Sequence, residues 1–318
     1  MKKKQILSVL LACLMVVAFA AGCGSKKDQP ERVFLNIAAG GTGGAYFPLA
    51  GAVAEILNRN IPGMNASAQT TGASVANINL LNEGKVDFVF AQTDITYYAA
   101  NGLEMFQDRK MEHLRGLAVL YPETVQIITL ERSGIRTIED IRGKRVAVGA
   151  AGSGTEANAR QILAAHGITY DDVSVQYLSF NEAANGIRDG NVDVGFVTAG
   201  FPTAAVQDIG SQHTVVLVPI APNRIEALMR EHPFYIRNDI PADAYGLGAD
   251  VTAVAVNAML VTTTKMSDEM ANNIVKLIYG NLDRIEAAHT IGRHIKKETA
   301  LTGMPITASE GAEKFFKE

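Results

Sequence analysis

Cysteine is nearly absent from this chain of 318 residues: there are two, Cys13 and Cys23, both close to the N-terminus. Removal of an N-terminal leader takes Cys13 with it, which excludes a disulfide, a zinc–thiolate site and a cysteine nucleophile from the body of the protein. Basic residues are in deficit, 29 Lys and Arg against 33 Asp and Glu, for a net charge of −4. An acidic balance argues against nucleic acid and for small molecules or proteins as partners. Catalytic and nucleotide motifs are also missing. Ala151-Gly152-Ser153-Gly154-Thr155 lacks the outer glycines of a nucleophile elbow. No glycine-rich turn ends in Gly-Lys-Ser/Thr, and the glycine spacing at residues 40–44 is wrong for a dinucleotide fingerprint. Of the histidines, only His289 and His294 fall near each other, and a solvated helix face accounts for them. No catalytic residue, metal or cofactor is expected.

One long apolar run is present, Ile6–Ala21, behind Lys2-Lys3-Lys4. It is too short for a stable membrane span and has the layout of a signal peptide. The run ends Ala20-Ala21-Gly22-Cys23, small residues before a cysteine that resemble the lipobox of bacterial lipoproteins, with Ala20 where leucine is usual. The resemblance implies a signal peptide over residues 1–22, lipidation at Cys23 and a polar tether over residues 23–32. About 300 residues remain, enough for one two-lobed protein.

Two glycine-rich turns organise those residues. Gly40-Gly41-Thr42-Gly43-Gly44-Ala45-Tyr46 follows the β-rich run Phe34–Ala39 and precedes the helical pattern Leu49–Asn60. Gly152-Ser153-Gly154-Thr155 follows Arg145–Val148 and precedes Ala157–His166. Strand, glycine turn and helix start make a backbone device for a small anionic or polar group, because glycines admit the ligand and first-turn N–H groups lack intrahelical partners. The helix dipole adds a few tenths to about 2 kcal/mol for an anion held there.

Short β-rich runs alternate with helical patterns, which predicts an α/β fold with mostly parallel strands. Asn65–Thr70, Val75–Glu83 and Phe88–Ala91 continue the first lobe; Ser174–Tyr177, Asn181–Asp189 and Val194–Val197 continue the second. Leu81–Phe90 can be laid on Ile187–Phe196: a helix end, Gly84 or Gly190 at the cap, Val-Asp into a strand, then Phe. Gln92 then corresponds to Thr198, while Asp87 and Asp193 read as turn residues bonded to nearby backbone. The extended runs Gly116–Leu130 and Val251–Thr263 are long enough to pass between lobes. The predicted division is residues 33–120 with 252–318 for lobe 1 and 121–251 for lobe 2. Asn223–Glu231, a Ser267-capped segment to Tyr279, and Ile285–Ile295 read as helices, residues 233–248 as loop, and residues 296–318 as outside the core.

Ligands of open α/β sheets sit beyond the carboxyl ends of the strands. The loops there give the candidate ligand-binding set: Thr42, Gly43, Gly44, Tyr46, Gln92, Ser153, Gly154, Thr155, Asn181, Thr198 and Gly200. They supply hydroxyls, amides, a phenol and main-chain donors, but no arginine, so a carboxylate would rest on N–H and hydroxyl groups.

Gly43-Gly44-Ala45-Tyr46, Leu120-Tyr121-Pro122-Glu123, Gly152-Ser153-Gly154-Thr155-Glu156 and Phe196-Val197-Thr198-Ala199-Gly200 with Pro202-Thr203 together carry a family resemblance. Over nearly all of residues 33–282 the chain resembles the TAXI-type solute receptors, extracytoplasmic components of tripartite ATP-independent periplasmic (TRAP) transporters. The resemblance implies a type II periplasmic-binding-protein fold, two α/β lobes joined by long hinge strands around a ligand cleft. It further implies a small carboxylate ligand such as glutamate, glutamine or a dicarboxylate. Membrane permease subunits driven by an ion gradient would be the partner. A monomer is expected, extracytoplasmic and either lipid-anchored to the outer face of the cell membrane or periplasmic. Gln126 departs from similar sequences, where histidine is frequent. Two other classes stay open, an extracellular α/β enzyme and a ligand-binding sensor module using the same cleft. An enzyme needs a base or nucleophile with an orienting partner in these loops, and the loops offer none.

Overall fold

The computed structural model describes residues 32–318, so the expectations for the signal peptide, for Cys23 and for all but the last tether residue lie outside the described residues. The first elements are β1 (Val33–Ala38), α1 (Tyr46–Asn60), β2 (Met64–Gln69), α2 (Ser74–Asn82), β3 (Phe88–Gln92) and α3 (Thr93–Asn101). Next come β4 (Leu114–Leu130), β5 (Arg145–Ala147), α4 (Gly154–Ala165), β6 (Ser174–Gln176), α5 (Phe180–Arg188) and β7 (Val194–Ala199). The chain continues through α6 (Ala204–Gly210), β8 (Val215–Leu217), α7 (Pro222–Glu231) and β9 (Ile236–Arg237). It ends with β10 (Val254–Thr263), α8 (Asp268–Tyr279), α9 (Leu282–Ala288) and α10 (Glu310–Lys317).

The strands run in the order β2-β1-β3-β10-β4-β7-β5-β6. Two parallel triads, β2-β1-β3 and β7-β5-β6, flank an antiparallel centre of β10 and β4. Strand β4 changes partners along its length. Its Leu114–Thr124 part pairs with β10, and Thr124–Ile128 pairs with β7. Such a strand joins the second triad directly and the first through β10, which is why so long an extended run occurs in a protein this size. Apolar clusters lie on both faces of each triad: Leu49, Val53 and Leu57 of α1 pack one face of the first, and Ile162, Leu163 and Val194 pack one face of the second. The four-residue spacing of those α1 side chains turns one helix stripe inward.

The matched passages fold alike. Gly84 and Gly190 both adopt left-handed backbone, φ 70° and 76°, where a side chain would be strained. Asp87 Oδ2 accepts from Asn36 N of β1 at 2.6 Å, and Asp193 Oδ2 accepts from Arg145 N of β5 at 2.8 Å. Each aspartate therefore holds the strand beside its own.

Three expectations are corrected. Helix α3 lies where no element was expected; its Thr and Tyr residues favour strands, but burial of Ile95, Tyr98 and Ala99 outweighs that preference. Ile285–Ile295 is not one helix: α9 ends at Ala288, His289 is extended (φ −158°, ψ 131°), and residues 290–294 form a 3₁₀ turn. Residues 296–318 do join the core. Ser309 N donates to Gly116 O at 2.8 Å, Ala300 and Ala312 are fully buried, and Phe315 and Phe316 stack against Tyr279. Ala312, Phe315 and Phe316 recur at helical spacing, a short apolar stripe masked by the charges around it.

Candidate functional site

The turns that follow the strands of both triads converge on one pocket. It is lined by residues 40–41, 44–46, 71–74, Gln92, Glu123, Ala150, 153–155, 179–180 and 198–199. The cavity volume is about 60 Å³. That is room for more than one water, and so for a small solute.

Five helices begin at this pocket: α3 starts behind Gln92, α5 is capped by Ser179, whose Oγ accepts from Glu182 N, and the other three are α1, α2 and α4. α1 starts at Tyr46 with no side-chain cap, so its first-turn N–H groups are not taken by the helix's own residues. α2 starts at Ser74 behind Ala73, whose backbone is held at φ 76° while Thr71 Oγ1 accepts from Ala73 N at 3.0 Å. α4 is capped by Ser153, whose Oγ accepts from Glu156 N at 3.1 Å. Ser153 Oγ serves the helix as an acceptor and keeps its O–H, so α4 offers the pocket main-chain donors and the hydroxyls of Ser153 and Thr155. Helix N-termini aimed at one space favour negative charge there.

Gln92 is the last residue of β3 and Thr198 the last but one of β7, and both are buried with an oxygen that has no partner, Gln92 Oε1 and Thr198 Oγ1. The orientation of the Gln92 amide follows from its network. Asn158 Nδ2 donates to Asp94 Oδ2 at 3.0 Å and to Tyr235 Oη at 2.9 Å, which leaves Asn158 Oδ1 as an acceptor for Gln92 Nε2 at 3.1 Å. Gln92 Oε1 is then directed away from Asn158, against Gly154: a Cβ on that glycine would lie 1.6 Å from it. Unpaired buried oxygens cost about 1–3 kcal/mol each, a penalty that a ligand donor removes.

Glu123 is the site residue that the sequence reading passed over. It sits on β4 where that strand changes partners, 3% exposed, and Tyr46 Oη donates to its Oε2 at 2.5 Å. Burial pushes its carboxyl up to about 8; the Tyr46 hydrogen bond opposes this, and Asp94 adds to it. Burial raises the Tyr46 and Tyr121 phenols well above their usual range, and Glu123 raises both further. Asp94 is raised to about 6 by burial, against the hydrogen bonds it accepts. The available signal was a lone acid inside a long β-rich run. Among the described residues no Lys, Arg or His lines the pocket, and Glu123 is the one carboxylate that does.

Of the expected ligand-binding residues, Gly44, Tyr46, Gln92, Ser153, Gly154, Thr155 and Thr198 line the pocket. Thr42, Gly43, Asn181 and Gly200 do not. Thr42 and Asn181 meet at the exposed rim, Asn181 Nδ2 donating to Thr42 Oγ1 at 3.1 Å. Gly43 is pressed against Asn181, and Gly200 packs on Ile291. Gln126 is fully buried behind the pocket, donating to Thr203 Oγ1 at 2.8 Å and accepting from Tyr245 Oη. Further contacts join the two sides: Ala76 N donates to Gly152 O at 2.9 Å, and Gly72 faces Ala151 O too closely to admit a side chain.

The architecture is of the periplasmic-binding-protein type. Among solved structures, a protein of Bordetella bronchiseptica RB50 is 17% identical over 89% of this chain and 82% of its own, with a TM-score of 0.52. A Listeria monocytogenes protein described as a candidate L-cystine ABC transporter is 16% identical over 83% of this chain and 98% of its own, TM-score 0.51. The ligand-binding component of an ABC-type import system from Staphylococcus aureus, with zinc bound, is 9% identical over 90% and 84%, TM-score 0.50. At such identities the likeness is one of fold. The family is shown by sequence: the NMT1-like model matches residues 37–318, and the chain belongs to the NMT1-like family.

Proposed function

We propose that the protein is an extracytoplasmic solute receptor that captures a small carboxylate in this pocket and hands it to a membrane permease, without chemistry of its own. The observation that carries the reading is the convergence of helix N-termini and two unpaired buried oxygens on one small space between the triads. The lining residues hold no nucleophile with an orienting base: Ser153 is a helix cap, and Glu123 faces only the Tyr46 phenol among hydrogen-bond partners. The finer reading is a TAXI receptor of an ion-gradient-driven TRAP permease, anchored through lipidated Cys23. In it residues 33–120 with 252–318 and residues 121–251 move as lobes about β4 and β10. Ligand would touch both lobes only in the closed form, and that differential contact is what shifts the population.

Closure is tested with cysteines at the rim, Thr42→Cys with Asn181→Cys. Saturation with a carboxylate that raises the melting temperature should speed their cross-linking and reduce the radius of gyration in small-angle scattering. A tightly bound ligand that changes neither would replace the closing receptor with a rigid site.

A further inference from the structure

The pocket has two poles of opposite preference. Helix starts of α1, α2 and α4 present N–H groups and dipole ends that favour an anion. Glu123 presents a buried acceptor, with no cation among the described lining residues. A simple dicarboxylate satisfies the first pole and leaves the second unmatched. A zwitterion matches both.

We propose that Glu123 receives the ammonium group of the ligand, and that the protein therefore selects α-amino acids over acids of the same shape that lack the amine. The inference rests on the receptor reading above and names the ligand class of that same site. Its geometry is specific to Glu123. The carboxylate comes from the central strand β4, between the two triads, so it faces the middle of the pocket rather than one wall. Tyr46 Oη occupies Oε2 and fixes the carboxyl plane, leaving Oε1 without a hydrogen-bond partner among the protein groups. The charged or titratable groups around it are Tyr46 from the start of α1, Tyr121 on its own strand and Asp94 at the start of α3. The segments lining the pocket from α2, α4, α5 and β7 bring no charged group.

Proton balance follows. With its carboxyl raised to about 8, Glu123 is neutral in the empty site at pH 7. An ammonium placed against it favours the ionised form, so the carboxyl gives its proton to solvent as the N⁺–H···O⁻ contact forms. Binding of an amino acid should release roughly one proton at pH 7 and tighten as pH rises toward 8. An anion without the amine would have the reverse dependence, since it is repelled by ionised Glu123 and tightens as pH falls.

The test is a thermal-shift and calorimetric comparison of the standard α-amino acids with their deaminated counterparts, L-glutamate with glutarate and L-alanine with propionate among them. Titrations run in buffers of different ionisation enthalpy, so that proton release is read directly. The expected result is that one or more amino acids bind with proton release and at least about tenfold more tightly than the matching deaminated acid. Glu123→Gln should abolish the release and weaken amino-acid binding roughly tenfold or more, while leaving the deaminated acid within a few fold. The wild-type proton count decides the matter even if that variant does not fold. Deaminated acids binding as well as the amino acids, or amino acids binding without proton release, overturn the ammonium role and leave the receptor reading standing. Binding by neither set overturns both.

Discussion

The passages 81–92 and 187–198 are two versions of one design, and they differ in what lies at their ends. Each has a left-handed glycine, an aspartate holding the adjacent strand, and a last residue with an unpaired buried oxygen. Beyond Gln92 the chain enters α3 and buries Asp94 against Asn158 and Tyr235. Beyond Thr198 it passes to a neutral arrangement of Thr203, Gln126 and Tyr245. The glycine turns differ in the same sense. The first starts an uncapped helix whose Tyr46 reaches Glu123, and the second starts a helix capped by Ser153. The backbone scheme is shared by the two sides; the ionisable groups enter only from the first side and from the central strand. Binding geometry is thus set twice, and charge selection once.

The largest effect should come from the acids that have no counterpart on the second side. Glu123 is raised to about 8 in the folded protein, against an ordinary value near 4.5 in the unfolded chain. Between those values the folded state holds a proton that the unfolded state has lost. Stability from this group is therefore full below about pH 4.5 and lost as pH rises to 8, at up to about 1.4 kcal/mol per pH unit. Asp94, raised to about 6, adds in the same direction over the lower part of that window. Urea midpoints measured at pH 5 and pH 8 should diverge for wild type and converge for Glu123→Gln. Equal pH dependence in both proteins would remove Glu123 as the source.

Next are the glycines at the two helix starts. A Cβ at Gly154 meets Gln92 Oε1 at 1.6 Å, whereas one at Gly44 meets a Phe180 ring carbon at 3.1 Å, and a ring edge yields more readily than an amide fixed by Asn158. Gly154→Ala should weaken ligand binding roughly a hundredfold, the upper part of the usual overpacking cost, and Gly44→Ala only a few fold. Calorimetry on the two variants with one ligand reads the contrast; equal losses would show that neither contact is specific.

Smaller still is the pair of unpaired oxygens. Thr198→Val keeps the shape and deletes a buried oxygen that the protein leaves unsatisfied, so the empty protein should melt at a higher temperature while ligand affinity falls roughly tenfold. Gln92→Leu should lose a similar amount of affinity without the stability gain, because it also breaks the bond to Asn158. Opposite shifts in melting temperature are the outcome to look for; a parallel shift would mean that the two ends are interchangeable.

The smallest difference is expected between the aspartates. Asp193 is held below the usual carboxylate range by Arg145, which donates from Nη2 to Oδ1 at 2.6 Å and from Nε to Oδ2 at 3.0 Å, while Asp87 meets only the Asn36 N–H. A lowered folded value contributes stability above the unfolded value and loses it as pH falls. Asp193→Asn should cost about 1 kcal/mol at pH 7 and much less near pH 3, given the partial solvent screening of the pair. The same comparison for Asp87→Asn gives the baseline.

Sequence alone determined the scheme of strands and helices through hydrophobic period, and the two glycine turns through the backbone freedom that only glycine supplies. It also determined the ends of β3 and β7, because the Gly-x-Val-Asp passages repeat. These signals are local, within reach of one turn or one strand. What the tertiary structure decided is everything that depends on partners distant in the chain. Helix α3 and the 296–318 segment are held by burial rather than by their own preferences, so their composition did not announce them. Thr42, Gly43, Asn181 and Gly200 lie in the right loops but face the rim or the core, since a loop's position does not fix where each of its residues points. Glu123 became the centre of the pocket only when β4 was threaded between the triads. Its charge state is a product of that burial, which removes water from a carboxyl that the sequence places in a motif but not in a site.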